Sequence, residues 1–313
     1  MYDLIALGEL LIDFIPAKSA DGNLLYEGHP GGAPANVLAT VAKLGGKVAF
    51  IGKVGQDKFG PFLRGVLKSK NIGTDGLIFT SEANTALSFV SLDEHGERSF
   101  SFYRNPAADL LLKESDINFN LINDARAFHF GSVSMTDEPS RTATLKAAEY
   151  AKDRGLMVSY DPNLRPLLWK NLSYAKAVMS EGLRYTNILK VSDDELKFLT
   201  GIRDYEKGSY YLNKKYCISL ILVTLGAKGC FYRFNTYTGL IEGYKVNVVD
   251  STGAGDCFLG TVLYQILYKY NKRLIEMTSS EIKDIVQFSN AAGALSTTKK
   301  GGRPKEGINV PML

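Results

Sequence analysis

Cysteine is scarce in this chain of 313 residues. Cys217, Cys230 and Cys257 are the only three, widely spaced and never in a C-x-x-C pair. Zinc and dithiol-redox sites therefore have no support, and free thiols in a reducing compartment fit best. Histidine is as rare. His29, His95 and His129 lack partners at metal or triad spacing, and His95 falls in a turn expected to be solvated. The single tryptophan, Trp169, reads as packing. No run of five or six like charges occurs, and 37 basic residues against 33 acidic ones leave a net charge of only +4. That balance argues against a nucleic-acid or anionic-membrane partner. The densest basic cluster is Lys299, Lys300 and Arg303. No stretch reaches about 18 uninterrupted apolar residues, so no membrane span is expected. The opening "MYDLIALGEL" has neither a basic region nor a long apolar run. No secretory signal is expected, and a cytoplasmic location fits. Two phosphate motifs are also missing. There is no G-x-x-x-x-G-K-[ST], and after Gly253 and Gly255 the next glycine, Gly260, comes two positions late for G-x-G-x-x-G. The second failure argues against a dinucleotide oxidoreductase.

What is present is ordinary globular composition, 45% hydrophobic and 22% charged, patterned as alternating strands and helices. Continuously apolar runs at 3–8, 48–55, 127–133, 156–163, 187–192 and 219–226 read as strands covered on both faces of a parallel sheet. Amphipathic stretches at 34–45, 138–155 and 173–185 read as helices. The rhythm predicts a doubly wound α/β fold, whose ligands collect beyond the carboxyl ends of the strands. One part breaks it. Residues 84–105 alternate with period two around "DEHGE" (93–97) and read as a β-hairpin, and 13–30 can supply two more short strands. The expected organisation is an α/β domain from 1–12, 31–83 and 106–313, with 13–30 and 84–105 forming a small β-sheet lid inserted in it.

"VVDSTGAGDCFLG" (248–260) runs from apolar residues through a glycine loop into a helical pattern. Asp250 is expected at a strand end, and Phe258, Val262, Ile266 and Leu267 on one helix face. A helix N-terminus offers unpaired N–H groups and a favourable dipole to an anion, and Gly253 and Gly255 admit close approach. From the loop alone, an ordinary glycine-rich turn is as good a reading. Asp256 would repel a phosphate that it merely bound. It makes sense as a base taking a proton from a hydroxyl that attacks the phosphate.

"DSTGAGDCFLG" resembles the C-terminal signature of the ribokinase-like (PfkB) carbohydrate kinases, and "GGAPANVLATVAKLG" (31–45) resembles their N-terminal signature. "FIGKVGQDKFG" (50–60) follows at the family's spacing, and the resemblance runs from about residue 3 to about 305. Within the family, "FYRNPAADLLL" (102–112), "YDPNLRPLLW" (160–169) and "LKVSDDELKFLTG" (189–201) resemble fructokinases; 2-keto-3-deoxygluconate kinases share much of the pattern.

The resemblance implies a ribokinase-like fold with a mostly parallel central sheet, and roles residue by residue. Asp256 is the base, and Gly253, Ala254 and Gly255 form the anion hole. Asp13, Gly31, Gly32 and Asn36 hold the sugar, and Tyr103, Arg104 and Asn105 reach it from the lid. Arg165 lies between sugar and nucleotide phosphates. Lys190, Ser192, Thr224, Gly226, Gly229 and Asn290 line ATP, and Glu195 holds water around Mg²⁺. A K⁺ site maps onto Asp250, Thr252, Ser296, Lys299 and Gly301, partly through backbone carbonyls. Lys305 stands where some members have a Ser ligand, a role its ammonium cannot fill. Family members dimerise through the lid, so a homodimer is expected.

Several of these residues also have plain structural readings. Ser192 and Glu195 match the S-x-x-E capping box. Asp13 could simply end a strand, Arg104 could face solvent in the hairpin, and Cys257 reads as core. Two function classes stand: an ATP-dependent kinase acting on O6 of D-fructose or on a related sugar, and a non-catalytic sugar or nucleotide sensor on the same fold. The sensor would have no need of Asp256 beside intact glycines.

Overall fold

The computed structural model describes residues 2–17, 21, 23–92 and 98–298. The expected hairpin turn at 93–97 with His95, and Lys299, Lys300, Gly301, Arg303 and Lys305, lie outside the described residues. The chain divides into two compact units, Met1–Leu189 and Lys190–Leu313.

The first unit runs β1 (Leu4–Leu7), β2 (Leu11–Ala17), β3 (Leu25–Gly31), α1 (Ala33–Lys43), β4 (Val48–Gly55), α2 (Phe59–Ser69), β5 (Ile72–Thr80), β6 (Leu87–Leu92), β7 (Arg98–Tyr103), α3 (Phe119–Asn123), β8 (Ala127–Gly131), α4 (Ser140–Asp153), β9 (Met157–Asp161), α5 (Leu172–Gly182) and the start of β10 (Ile188–Ser192). Six strands hydrogen-bond in the order β10-β9-β8-β1-β4-β5, every pair parallel. All residues of β1, β4 and β8 are buried, which explains their continuous apolar runs. Helix α4 presents Ala143, Ala147 and Ala151, one turn apart, as buried residues and packs on β8 and β9. A separate four-stranded sheet has the order β3-β2-β6-β7, with β2 and β6 parallel and the other pairs antiparallel.

The second unit continues with α6 (Asp193–Thr200), α7 (Tyr205–Tyr216), β11 (Leu220–Thr224), β12 (Gly229–Phe234), β13 (Tyr237–Glu242), α8 (Ala254–Tyr264) with a π-helical turn after it (Gln265–Tyr270), and α9 (Ser279–Ser296). Strands β11, β12 and β13 pair antiparallel, and β10 borders β11. Because β10 takes part in both sets, nine strands join one mixed, mostly parallel sheet. Helix α9 opens on a Thr278–Glu281 capping box and buries Ile282, Ile285, Val286, Ser289 and Gly293, a stripe at helical spacing.

Three strands escape the sequence reading, and the expectation for Asp250 changes. Strand β5, "IGTDGLIFT", escapes a sequence reading because two glycines and an Asp interrupt it. The antiparallel β12–β13 pair escapes a search for parallel βαβ rhythm. Asp250 does not end a strand: Val248–Asp250 is irregular backbone, tied down by the N–H groups of Val249 and Asp250 donating to the Thr297 carbonyl at 2.8 and 3.0 Å. The expected α8 face is present, with Phe258, Val262, Ile266 and Leu267 all buried. Trp169 packs on Tyr174. His129 is buried with Ser159 Oγ at 3.2 Å from its Nδ1. Cys257 is half-buried rather than core.

Candidate active site

In the first unit, β2 and β6 pair with Asp13 opposite Ser88. The Ser88 hydroxyl donates a short hydrogen bond to Asp13 Oδ1. Gly31, ending β3, lies so close to the same carboxylate that a Cβ there would have to displace the Asp13 side chain. Burial raises the pKa of Asp13; the Ser88 hydrogen bond and the charges of Arg165 and His29 oppose the rise. Arg165 follows Asn163, whose φ of 53° turns the chain at the end of β9. The fold thus gathers Asp13, Gly31, Ser88 and Arg165. Gly32 caps α1 at φ 127°, and Asn36 lies one turn on, its N–H donating to the Gly32 carbonyl at 3.0 Å.

The three hairpin residues part company. Tyr103 is exposed, with its ring edge-on to Phe89 at 5.2 Å, and Asn105 is exposed before a cis Pro106. Arg104 is buried. Its Nε donates to Asp109 Oδ2 at 2.7 Å, Nη1 to Thr136 Oγ1 at 2.8 Å and Nη2 to the Val133 carbonyl at 2.9 Å. It braces the end of β7 against the segment after β8. Ser88 and the buried Glu9, whose Oε1 accepts the Ala33 N–H at 2.9 Å, were not anticipated. Ser88 could have been found by pairing the polar positions of the hairpin with Asp13. Glu9 carried no signal beyond being an acid at the end of an apolar run.

In the second unit, Gly253 takes a left-handed conformation, φ 74°, as N-cap of α8. Asp256 is buried in the first turn of that helix. Gly255 leaves room for the Lys190 ammonium, which a Cβ there would meet at 2.9 Å. A helix N-terminus, a cation and a carboxylate therefore converge. Beside them opens a cavity of about 550 Å³, lined in part by Ala254, Gly255 and four of the residues expected to line ATP, Thr224, Gly226, Gly229 and Asn290, while Lys190 and Ser192 are not on its wall. Its walls also include Tyr244, Val246, Phe258 and Ala294, apolar groups that suit a flat aromatic ring. The stretch 243–248 was missed because irregular backbone has no periodicity. Asn290 Nδ2 donates to the Ile241 carbonyl at 3.1 Å, and Thr224 Oγ1 to the Val191 carbonyl at 3.3 Å. Ser192 and Glu195 form the capping box at the start of α6, with bonds of 3.1 and 2.8 Å. Asp250 Oδ1 accepts the Thr252 N–H at 2.9 Å. The Thr297 contacts bring this loop to the end of α9, where Ser296 Oγ donates to the Gly293 carbonyl at 2.7 Å.

Residues 1–306 match the model of the pfkB family carbohydrate kinases. The chain belongs to this family. It is 44% identical to fructokinase-2 of Solanum habrochaites over 304 residues, 96% of this chain and 92% of that one. Its structure is similar to that of a fructokinase with bound ATP from Xylella fastidiosa (TM-score 0.87, 35% identity, 96% and 94% of the two chains covered). It is also similar to that of a fructokinase from Vibrio cholerae O395 in a form with fructose, ADP and calcium ion bound (TM-score 0.84, 35% identity, 96% and 94% covered). This pfkB protein is thus a carbohydrate kinase, a transferase acting with ATP. Among its described residues no helix is long and apolar enough to cross a membrane, and no group of three or more His, Cys, Asp or Glu is placed to hold a metal ion.

Proposed function

We propose that this kinase transfers the γ-phosphoryl group of ATP to O6 of D-fructose. The observation that carries the proposal is the first turn of α8, where Gly253, Gly255, Lys190 and the buried Asp256 meet at the mouth of a nucleotide-sized cavity. ATP places its base among the apolar walls and its phosphates toward the helix N-terminus. The sugar is held by Asp13, Gly31, Gly32, Asn36 and Ser88. O6 attacks the γ-phosphorus, the bond to the β-phosphate oxygen breaks, and ADP leaves with the electron pair. Asp256 takes the O6 proton, while the N–H groups of residues 253–255 and Lys190 stabilise the spreading negative charge.

Arg104 is left out of the sugar contacts because its guanidinium is committed inside the fold. Of the two arginines expected near the sugar, that leaves Arg165, whose charge acts on the buried Asp13, as a cation for an acidic sugar. This favours neutral fructose over 2-keto-3-deoxygluconate. Mg²⁺ arriving with ATP supplies charge neutralisation on the phosphates. With no protein cage among the described residues, the phosphates and waters would hold it, Glu195 reaching it through water. Asp250, Thr252 and Ser296 would hold a monovalent cation, together with Lys299 and Gly301 outside the described residues; the Thr252 N–H on Asp250 Oδ1 and the bonds of Val249 and Asp250 to the Thr297 carbonyl support this reading. The small sheet serves as a lid that excludes water and as the contact of a homodimer. A panel of sugars with ATP and Mg²⁺, read by ADP formation, tests the proposal. Fructose is expected to give the highest kcat/KM; preference for 2-keto-3-deoxygluconate would overturn it, and no ADP formation with any sugar would favour a sensor.

A further inference from the structure

Glu9 has no place in the chemistry above, yet it grips the loop that the proposed function assigns to the sugar. It follows β1 and is 4% exposed. Its Oε1 accepts the Ala33 N–H at 2.9 Å in the first turn of α1. Its own carbonyl oxygen occupies the space that a side chain on Gly32 would need. Glu9 thus holds Ala33 by a hydrogen bond and packs its backbone against Gly32. The charged groups that face its carboxylate are Arg104 and Asp109, themselves joined in a buried salt bridge at 2.6 Å. Two buried carboxylates thus share one guanidinium, and Glu9 Oε2 and Asp109 Oδ1 have no hydrogen-bond partner among the described residues. A helix cap alone is served by uncharged Ser, Thr or Asn without the cost of burying a carboxylate.

We infer that Glu9 is a positioning residue for the sugar loop: its ionised carboxylate holds the Ala33 N–H and so fixes Gly31, Gly32 and Asn36 for the sugar, and its protonation loosens that hold. Burial pushes the Glu9 carboxyl up to about 7, against the pull of Ala33 and Arg104, so the change falls near neutral pH. The charged form binds the N–H more strongly than a neutral carbonyl does. Sugar KM is therefore expected to fall as pH rises through about 7.

The inference rests on the reading of residues 31–36 as the sugar loop. Glu9→Gln keeps an acceptor oxygen and the side-chain volume but removes the charge; Glu9→Ala removes both. On the full chain, kcat and the KM values for sugar and ATP are measured across neutral pH, with thermal unfolding alongside. The sugar is whichever one the wild type phosphorylates fastest, so a wrong substrate assignment shows in the wild type and not in the variants. For Glu9→Gln the expected result is a rise in sugar KM above neutral pH of roughly three- to tenfold, the scale of one hydrogen bond losing its charge assistance. Its sugar KM no longer varies with pH, its ATP KM is unchanged and its unfolding temperature is not lowered. A Gln variant with wild-type sugar KM and pH profile would overturn the inference. So would equal losses toward sugar and ATP with a lowered unfolding temperature, which mark a merely structural role. Should Glu9→Ala fail to fold, the Gln variant decides alone.

Discussion

Arg104 and Asp13 show how far single residues reveal their roles. Asp13 lies within a strand of the small sheet, and Arg104 directly follows another. Asp13 is legible because its spacing to "GGAPAN" matches a family pattern, and the fold does bring it to Gly31 and Arg165. Arg104 sits in an equally suggestive "YRN" but is buried, because Asp109 five residues on and Thr136 on a distant segment supply its partners. Nothing local in the sequence announces a partner 32 residues away. Its replacement is accordingly expected to act on stability. Arg104→Ala strands the Asp109 carboxylate in the interior and should cost about 3–5 kcal/mol in denaturant unfolding, the range for breaking a buried pair. A solvent-facing sugar contact would instead leave the unfolding midpoint nearly unchanged and raise sugar KM. Glu9 adds a pH dependence of the same kind. Its pKa is raised from 4.5 to about 7 on folding, so the folded state holds the proton more tightly than the unfolded chain. That contribution to stability is present at low pH, fades as pH rises from about 4.5 to about 7 and levels off above.

Elements were legible where one periodicity dominates. The buried strands β1, β4 and β8 and the alanine stripe of α4 follow from apolar patterning alone, as does the helix after the glycine loop. The small sheet was legible as one alternating hairpin and a second segment able to supply two short strands, but not in its strand order, since the parallel β2–β6 pairing joins residues 75 apart and no turn fixes it. Outer strands β3 and β7 leave backbone groups open to further pairing. Leu24, Leu25 and Tyr26 at the start of β3 are 86%, 49% and 37% exposed, and Tyr103 on β7 is 65% exposed. An apolar, open edge of this kind is what a second copy would cover. Light scattering at micromolar concentration is expected to show a dimer, converted to monomer by Leu25→Lys; a wild-type chain that stays monomeric would remove the small sheet from that role.

For the whole molecule, the mostly parallel central sheet and the order of the two glycine-rich motifs were within reach of the sequence because family-scale patterns repeat over nearly its full length, while strands β5, β12 and β13 were not. The nucleotide cavity was only half legible. Its glycines and Asn290 carry motif signals, while Tyr244 and Val246 come from irregular backbone that no pattern marks. In the proposed reaction the base, the anion hole and the nucleotide walls are separate groups of the second unit. Asp256 is the residue on which that division of labour turns, and its conservative replacement keeps size and hydrogen bonding while removing the base. The most direct measurement is fructose-dependent ADP release by Asp256→Asn beside the wild type, with fructose binding measured on both. The account predicts unchanged binding and a turnover lower by about 10²–10⁴, the scale of general base catalysis; near-normal turnover in the variant would contradict it.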